Sequence, residues 1–301
     1  PVDLTEPVEG ADQVGPVGHA VESGQRLVEV GLGLLVESLA EPDTAEPDQG
    51  RGPLLQEAPG LLHARQCPFA VLRRQLQPVR GNEHLAEICG WHPDRFIGFA
   101  HHSPFLPDAV ERLDHAVRNL GLRGYKLLAP MIEEPIEDPV AFPVWEKCAE
   151  LGIPVLIHFG IQGSSGGIAW HENINPLKLH NVAKFFPEVD FVVPHFGCAW
   201  ERETLQLCWS CPNVSVDTSG SLQWIRWVPG ELTVKYLYRK FYETIGPSRI
   251  IFGTDSSWFP RGFAFRYLQD QMRDCLDLNM PDEHIQMIFA GNAARLLKID
   301  L

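Results

Sequence analysis

The 301-residue sequence contains no uninterrupted apolar run near the roughly 18 residues that a membrane-spanning helix requires. Its first residues also lack the basic segment with which a secretory signal begins. These two absences predict a cytoplasmic protein that does not bind a membrane. The formal net charge of −14 leaves no excess of positive charge for a nucleic acid backbone, so we expect no nucleic acid partner.

Cysteine is scarce and irregularly spaced. The seven cysteines are an odd number without the regular spacing of a disulfide framework. Cys208 and Cys211 form one Cys-x-x-Cys pair, but a second pair that could complete a zinc site is missing. We therefore predict reduced, buried thiols, as is usual for a cytosolic protein.

The front of the chain lacks several residue types altogether. Residues 1–68 contain no isoleucine, lysine, asparagine, methionine or aromatic residue, and residues 1–60 hold twelve acidic and only two basic residues. Such a composition does not build a packed core. We predict that residues 1–81 are an acidic, poorly ordered leader of low complexity and that residues 82–301 are the functional domain. A misread frame of a GC-rich gene and a genuine acidic linker are the two explanations for the leader.

From residue 82 onward, apolar strands alternate with amphipathic helices in units of about 30 residues, which predicts a parallel sheet. Six strands can be counted from Arg95. No Gly-x-Gly-x-x-Gly or Walker-type loop follows any of them, which disfavours an open nucleotide-binding sheet. The six strands fit either an open doubly wound sheet or a (β/α)8 barrel that is incomplete or irregular at its first strands, and the barrel is favoured.

Three of the predicted strands end in a polar side chain, at His158, His195 and Asp255. Because parallel strands of one barrel end at the same mouth, the three side chains are expected to meet there. Imidazole and carboxylate groups are both metal ligands and proton-transfer groups.

Residues 82–297 resemble the amidohydrolase-related family of metal-dependent TIM barrels, which contains hydrolases and decarboxylases. The resemblance depends on six stretches in the same order: His92–Phe99, Leu122–Leu127, Gly152–His158, Val192–Gly197, Ile251–Asp255 and Gly291–Leu296. It implies that His158 is a metal ligand and that Asp255 binds both the metal and the activated water. It implies that His195 acts as the acid/base, and in some members also contacts the metal. Zinc is the expected metal, with manganese as an alternative.

One feature of that family is missing. Its first strand ends in a His-x-His ligand pair, and no His-x-His occurs in this sequence. A catalytic zinc normally takes three protein ligands, which His158 and Asp255 supply only if His195 joins them. Two further candidates could bind a substrate carboxylate: Lys126, inside the fourth strand of the barrel by this resemblance, and Arg261, which follows a strand end. Trp258, also after a strand end, could line the pocket.

We therefore expect a metal-dependent hydrolase in which activated water attacks an ester, lactone or amide carbon of a small molecule. The alternative is a non-oxidative decarboxylase, or carboxy-lyase, of an aromatic or unsaturated carboxylic acid. A third alternative is an inactive barrel without the His-x-His ligands. Homo-oligomers are common among the relatives, and we keep a homo-oligomer as an expectation by analogy.

Overall fold

The computed structural model of the protein describes residues 81–160, 171–256 and 265–300. The predicted leader lies outside these residues except for residue 81. The described part contains one parallel sheet in which neighbouring strands follow the order of the chain. Its strands are β1 (Phe99–His101), β2 (Gly124–Leu128), β3 (Val155–His158), β4 (Phe191–Val193), β5 (Val214–Asp217) and β6 (Ile250–Ile251). The prediction of six parallel strands is confirmed.

Helices lie between consecutive strands, as a parallel sheet requires, and further helices precede β1 and follow β6. They are α1 (residues 81–91), α2 (Ala109–Arg118), α3 (Phe142–Leu151), α4 (His180–Phe185), α5 (Glu201–Ser210), α6 (Ser221–Trp224), α7 (Val234–Ile245), α8 (Phe265–Asp277), α9 (Asp282–Gln286) and α10 (Asn292–Leu297). Strand order and helical crossovers are those of a (β/α)8 barrel. Among the described residues, none of these helices combines the length and apolarity needed to span a bilayer.

The main hydrophobic core lies between the sheet and the helices. Alternate strand residues such as Tyr125, Val155, Phe191 and Val214 face outward and are fully buried there. The six cysteines of the described residues form no disulfide with one another, and five of them are buried. Cys67 lies outside the described residues.

A second, smaller apolar cluster lies on the inner face of the sheet. Leu156, Val192 and Ile251 point inward and pack against the last helix, α10, through residues such as Leu296 and Leu297. The inner residues closer to the carboxyl ends of the strands are polar. The barrel therefore has a dry apolar floor with polar side chains above it.

Helix boundaries differ from the sequence prediction in two places. The sequence pattern predicts a single helix from about Asn175 to Phe186, but residues Pro176–Leu179 form a 3-10 turn and α4 begins only at His180. Asn175 caps that turn, because its side chain accepts the N–H of Leu177 at 2.9 Å. The sequence pattern also predicts a helix from about Asp282 to Ala290, but α9 ends at Gln286 and a π-helical turn follows.

The π-helical turn has a structural use at the edge of the sheet. It spans Met287–Gly291, and the carbonyl of Ile288 accepts the N–H of Phe252 at 2.9 Å. The Asn292 side chain donates to the carbonyls of Pro247 and Ile250, both at 2.7 Å. The C-terminal helical segment therefore forms hydrogen bonds with backbone groups of β6 and of the residues on either side of it.

Candidate active site

The three predicted strand-end residues meet at the carboxyl edge of the sheet. The ring centroids of His158 and His195 are 5.1 Å apart. A Cβ atom on Gly220 would lie 3.0 Å from Asp255 Oδ2 and 3.1 Å from His195 Nδ1. Asp255 and His195 therefore flank the same glycine, and the predicted convergence of the three side chains is present in the structure.

His195 sits at the start of a left-handed turn. His195, Phe196, Cys198 and Ala199 have φ between 48° and 71°, and Gly197 has φ 93°. A left-handed conformation costs roughly 1–2 kcal/mol for each residue with a Cβ. The buried ring of Phe196 holds the turn in place, because it packs against the rings of Tyr238 and Phe241 with centroids 5.4 and 4.8 Å away.

Asp217, the last residue of β5, and Ser219, two residues further on, form hydrogen bonds with His195. Asp217 Oδ1 accepts the N–H groups of Ser219 at 2.8 Å and of His195 at 3.1 Å, and it also accepts the Ser219 hydroxyl. The Ser219 carbonyl and hydroxyl lie 2.7 and 2.8 Å from His195 Nδ1. The strand-end position of Asp217 was the one sequence signal for this group, and nothing in the sequence indicated Ser219.

Lys126 lies on β2 and is only 6% exposed. Burial lowers its pKa from the usual 10.5 to about 8, and the nearby Asp217 and Asp255 carboxylates partly oppose this effect. At neutral pH the ammonium group remains largely protonated. The structure thus places a buried cation opposite two carboxylates at the bottom of the site.

His158 at the end of β3 is 8% exposed, and its Nε2 has no hydrogen-bond partner among the described residues. Burial is the main cause that lowers its pKa well below 6.5, and the nearby His195 and Lys126 add to the effect. The neutral imidazole that results has a free lone pair, as a metal ligand or a hydrogen-bond acceptor requires.

The donor set for a metal is only partly present. His158 Nε2 and Asp217 Oδ2 are buried polar atoms without a partner in the part of the chain that the structure describes. In that same part, no three histidine, cysteine, aspartate or glutamate side chains are arranged so that they could hold a metal ion. The described residues by themselves therefore do not fit a three-ligand catalytic metal. The ligand set His158, His195 and Asp255 stays a prediction.

The two adjacent histidines at the end of β1 point in different directions. His101 Nδ1 donates to the carbonyl of Lys126 at 2.8 Å, next to the site. His102 is buried on the other side, where its Nε2 donates to the Ala109 carbonyl of α2 at 2.9 Å. Of this pair, only His101 lies near the polar groups of the barrel. Trp258 and Arg261, the other predicted substrate-binding residues, lie outside the described residues.

A parallel barrel with titratable groups at the carboxyl ends of its strands defines the general class, an enzyme built on a (β/α)8 scaffold. Comparison with known families identifies the particular family. The amidohydrolase family model matches residues 44–299, and the chain belongs to that family. The match begins upstream of the domain boundary predicted at residue 82.

Individual relatives are more distant. The chain is 32% identical over 82 residues to 2-amino-3-carboxymuconate-6-semialdehyde decarboxylase of Dictyostelium discoideum, which covers 26% of this chain and 22% of that enzyme. The crystal structure of 5-carboxyvanillate decarboxylase from Sphingomonas paucimobilis has a TM-score of 0.55 at 19% identity and covers 73% of this chain and 71% of that one.

A third relative was solved with a metal. Dihydroxybenzoic acid decarboxylase from Polaromonas, with bound manganese and the inhibitor 2-nitroresorcinol, has a TM-score of 0.56 at 20% identity and covers 76% of both chains. Because both solved structures are 20% identical or less to this chain, they support its fold and not its activity. The chain matches only about a fifth of the length of the Dictyostelium enzyme.

Proposed function

We propose that this protein is a non-oxidative decarboxylase of the amidohydrolase family that acts on a small aromatic or unsaturated carboxylic acid. The observation that carries the proposal is the buried Lys126 ammonium group beside the His158, His195 and Asp255 cluster. A buried cation favours a negatively charged substrate group, which an ester or a lactone does not offer. The named decarboxylases among the relatives support the same choice over the hydrolase that the sequence first favoured.

The chain's own residues can be given roles in this reaction. Lys126 would bind the substrate carboxylate and fix the orientation of the acid. His195 in its protonated form would deliver a proton to the carbon that loses carbon dioxide. The electron pair of the broken carbon–carbon bond forms the new carbon–hydrogen bond, and solvent returns a proton to the imidazole.

We also infer that the enzyme requires a divalent metal, zinc or manganese, for which His158 and Asp255 are this chain's first candidate ligands. His195 is the third candidate ligand, and no step of the reaction is assigned to the metal. A cytoplasmic location, a domain spanning residues 82–301 and a homo-oligomeric assembly complete the proposal.

The test is a direct comparison of two reactions with the full 301-residue protein supplied with manganese or zinc. Carbon dioxide release is measured over a panel of hydroxybenzoic and unsaturated carboxylic acids, and hydrolysis over a panel of esters, lactones and amides. We expect carbon dioxide release that Lys126→Met and His195→Asn abolish. Lys147→Met, a surface lysine paired with Asp114 and Glu150, is the matched control and should retain activity.

Two other outcomes would count against the proposal. Hydrolysis of an ester, lactone or amide without carbon dioxide release, sensitive to His195→Asn, would establish the hydrolase instead. The absence of both reactions in metal-supplied protein would favour the inactive barrel.

A further inference from the structure

Hydrogen bonding identifies which nitrogen of His195 is free for chemistry. Nδ1 lies 2.7 Å from the backbone carbonyl oxygen of Ser219. A carbonyl oxygen can only accept, so Nδ1 must carry the proton and donate. In the neutral ring the lone pair is then on Nε2.

The Ser219 hydroxyl reinforces the same arrangement. Its oxygen lies 2.8 Å from His195 Nδ1, and its own proton is donated to Asp217 Oδ1. Because that proton is already used, the hydroxyl oxygen presents a lone pair to Nδ1–H. Asp217 therefore orients Ser219, and Ser219 orients His195.

The packing around Ser219 leaves this geometry little freedom. Ser219 is 3% exposed and Asp217 is fully buried, so water does not readily replace either partner. A Cβ atom on Gly253 would lie 2.9 Å from Ser219 Cβ, which places the β6 exit directly against the serine. The carboxylate of Asp217 is fixed by three donors at one oxygen.

We propose that Ser219, oriented by Asp217, is a positioning residue that holds His195 in the Nδ1–H tautomer, so that Nε2 is the atom that acts in the reaction. The proposal rests on the proposed function only for the role of His195. The tautomer itself is a property of the resting protein and can be measured without a substrate. Ser219 does not contact the substrate in this assignment.

The first measurement is the 15N spectrum of the histidine rings in the full-length protein in mildly alkaline buffer, with the His195 signals assigned by their loss in His195→Asn. We expect a protonated-type shift for Nδ1 and an unprotonated-type shift for Nε2. In Ser219→Ala the carbonyl acceptor remains but the hydroxyl is lost, so the two shifts should move toward each other. Ser219→Thr, which restores the hydroxyl, should return them.

The second measurement is steady-state kinetics. Loss of one oriented hydrogen bond in the transition state should lower kcat of Ser219→Ala about tenfold and leave KM unchanged. Asp217→Asn should have an effect of the same kind, since it weakens the acceptor that holds the serine. Ser221→Ala is the matched control, because its hydroxyl lies 3.3 Å from the same Ser219 carbonyl but it does not belong to the chain of contacts from Asp217 to His195.

The possible results separate the two proposals. An Nε2–H tautomer in the wild-type protein would overturn the positioning role, and so would a Ser219→Ala protein with the spectrum and kcat of Ser221→Ala. The expected tautomer without any carbon dioxide release would instead overturn the proposed function alone. If Ser219→Ala does not fold, the wild-type spectrum and the kinetics of Asp217→Asn still test the positioning role.

Discussion

Replacing the buried Lys126 by methionine should stabilise the protein while it removes the activity. Methionine has a similar length and no charge to desolvate. The folded protein binds the lysine proton more weakly than the unfolded chain does, because burial lowers the pKa from 10.5 to about 8. At about 1.4 kcal/mol for each tenfold difference in proton affinity, the charged side chain destabilises the fold by roughly 3.5 kcal/mol at most.

The lowered pKa of Lys126 also predicts how the stability difference between the wild type and Lys126→Met changes with pH. Below a pH of about 8 the lysine is charged in both states, and the full cost is present. Between about 8 and 10.5 the unfolded chain holds the proton that the folded protein has lost, so the stability of the wild-type protein rises with pH. The advantage of Lys126→Met should therefore be about 1–3 kcal/mol at neutral pH and should shrink across that window.

The assay is urea denaturation of chelator-treated wild-type protein and Lys126→Met at neutral and at alkaline pH. Lys147→Met, whose side chain forms surface ion pairs, should change the stability little at either pH. A Lys126→Met protein that is less stable than the wild type at neutral pH would refute the reasoning. So would an advantage that does not depend on pH, because the gain would then come from packing rather than from charge.

Three further predictions concern neighbouring parts of the barrel. Gly220→Ala should lower activity and destabilise the fold by about 1–2 kcal/mol, measured by denaturation, because φ is +60° and the new Cβ would lie 3.0 Å from Asp255 Oδ2; unchanged kinetics would contradict it. Asn292→Ala should lower the free energy of unfolding by about 2 kcal/mol in urea denaturation, since two hydrogen bonds to the carbonyls of Pro247 and Ile250 are lost. Arg295→Ala is the control with a smaller expected loss, because it removes a single, solvent-exposed hydrogen bond to the Ser248 carbonyl. His158→Ala should reduce the zinc or manganese content of purified protein, and an unchanged content would argue against His158 as a ligand.

The sequence predicted the strands and the positions where they end, because both depend on local patterns. An apolar run that stops at His158 or Asp255 is visible without any tertiary information. In a parallel barrel, strand ends share one mouth, so the meeting of His158, His195 and Asp255 also followed. The order of the strands along the chain and the alternation of side chains on each strand are sufficient to predict these parts of the site.

The partners of His195 could not be predicted in this way. Ser219 reaches the imidazole only because residues 195–199 adopt left-handed backbone angles, and Phe196 holds that turn through rings on α7. Four of these five residues are not glycine, so their composition gives no sign of the turn. The π-helical turn is of the same kind, since the Ile288 carbonyl accepts a tertiary hydrogen bond from Phe252. The shortened α4 has a local cause instead, the cap that Asn175 forms on Leu177.

The apolar floor of the barrel explains why the charges above it behave as they do. Residue parity on β3 places Leu156 in the floor and His158 in the site, two positions further along the same inward face. Because α10 closes the floor with leucine and alanine side chains, the polar layer rests on a surface that offers it neither water nor hydrogen bonds. Burial is accordingly the leading cause of the lowered pKa values of both Lys126 and His158. The C-terminal helix therefore closes the inner apolar cluster of the barrel with its own apolar side chains.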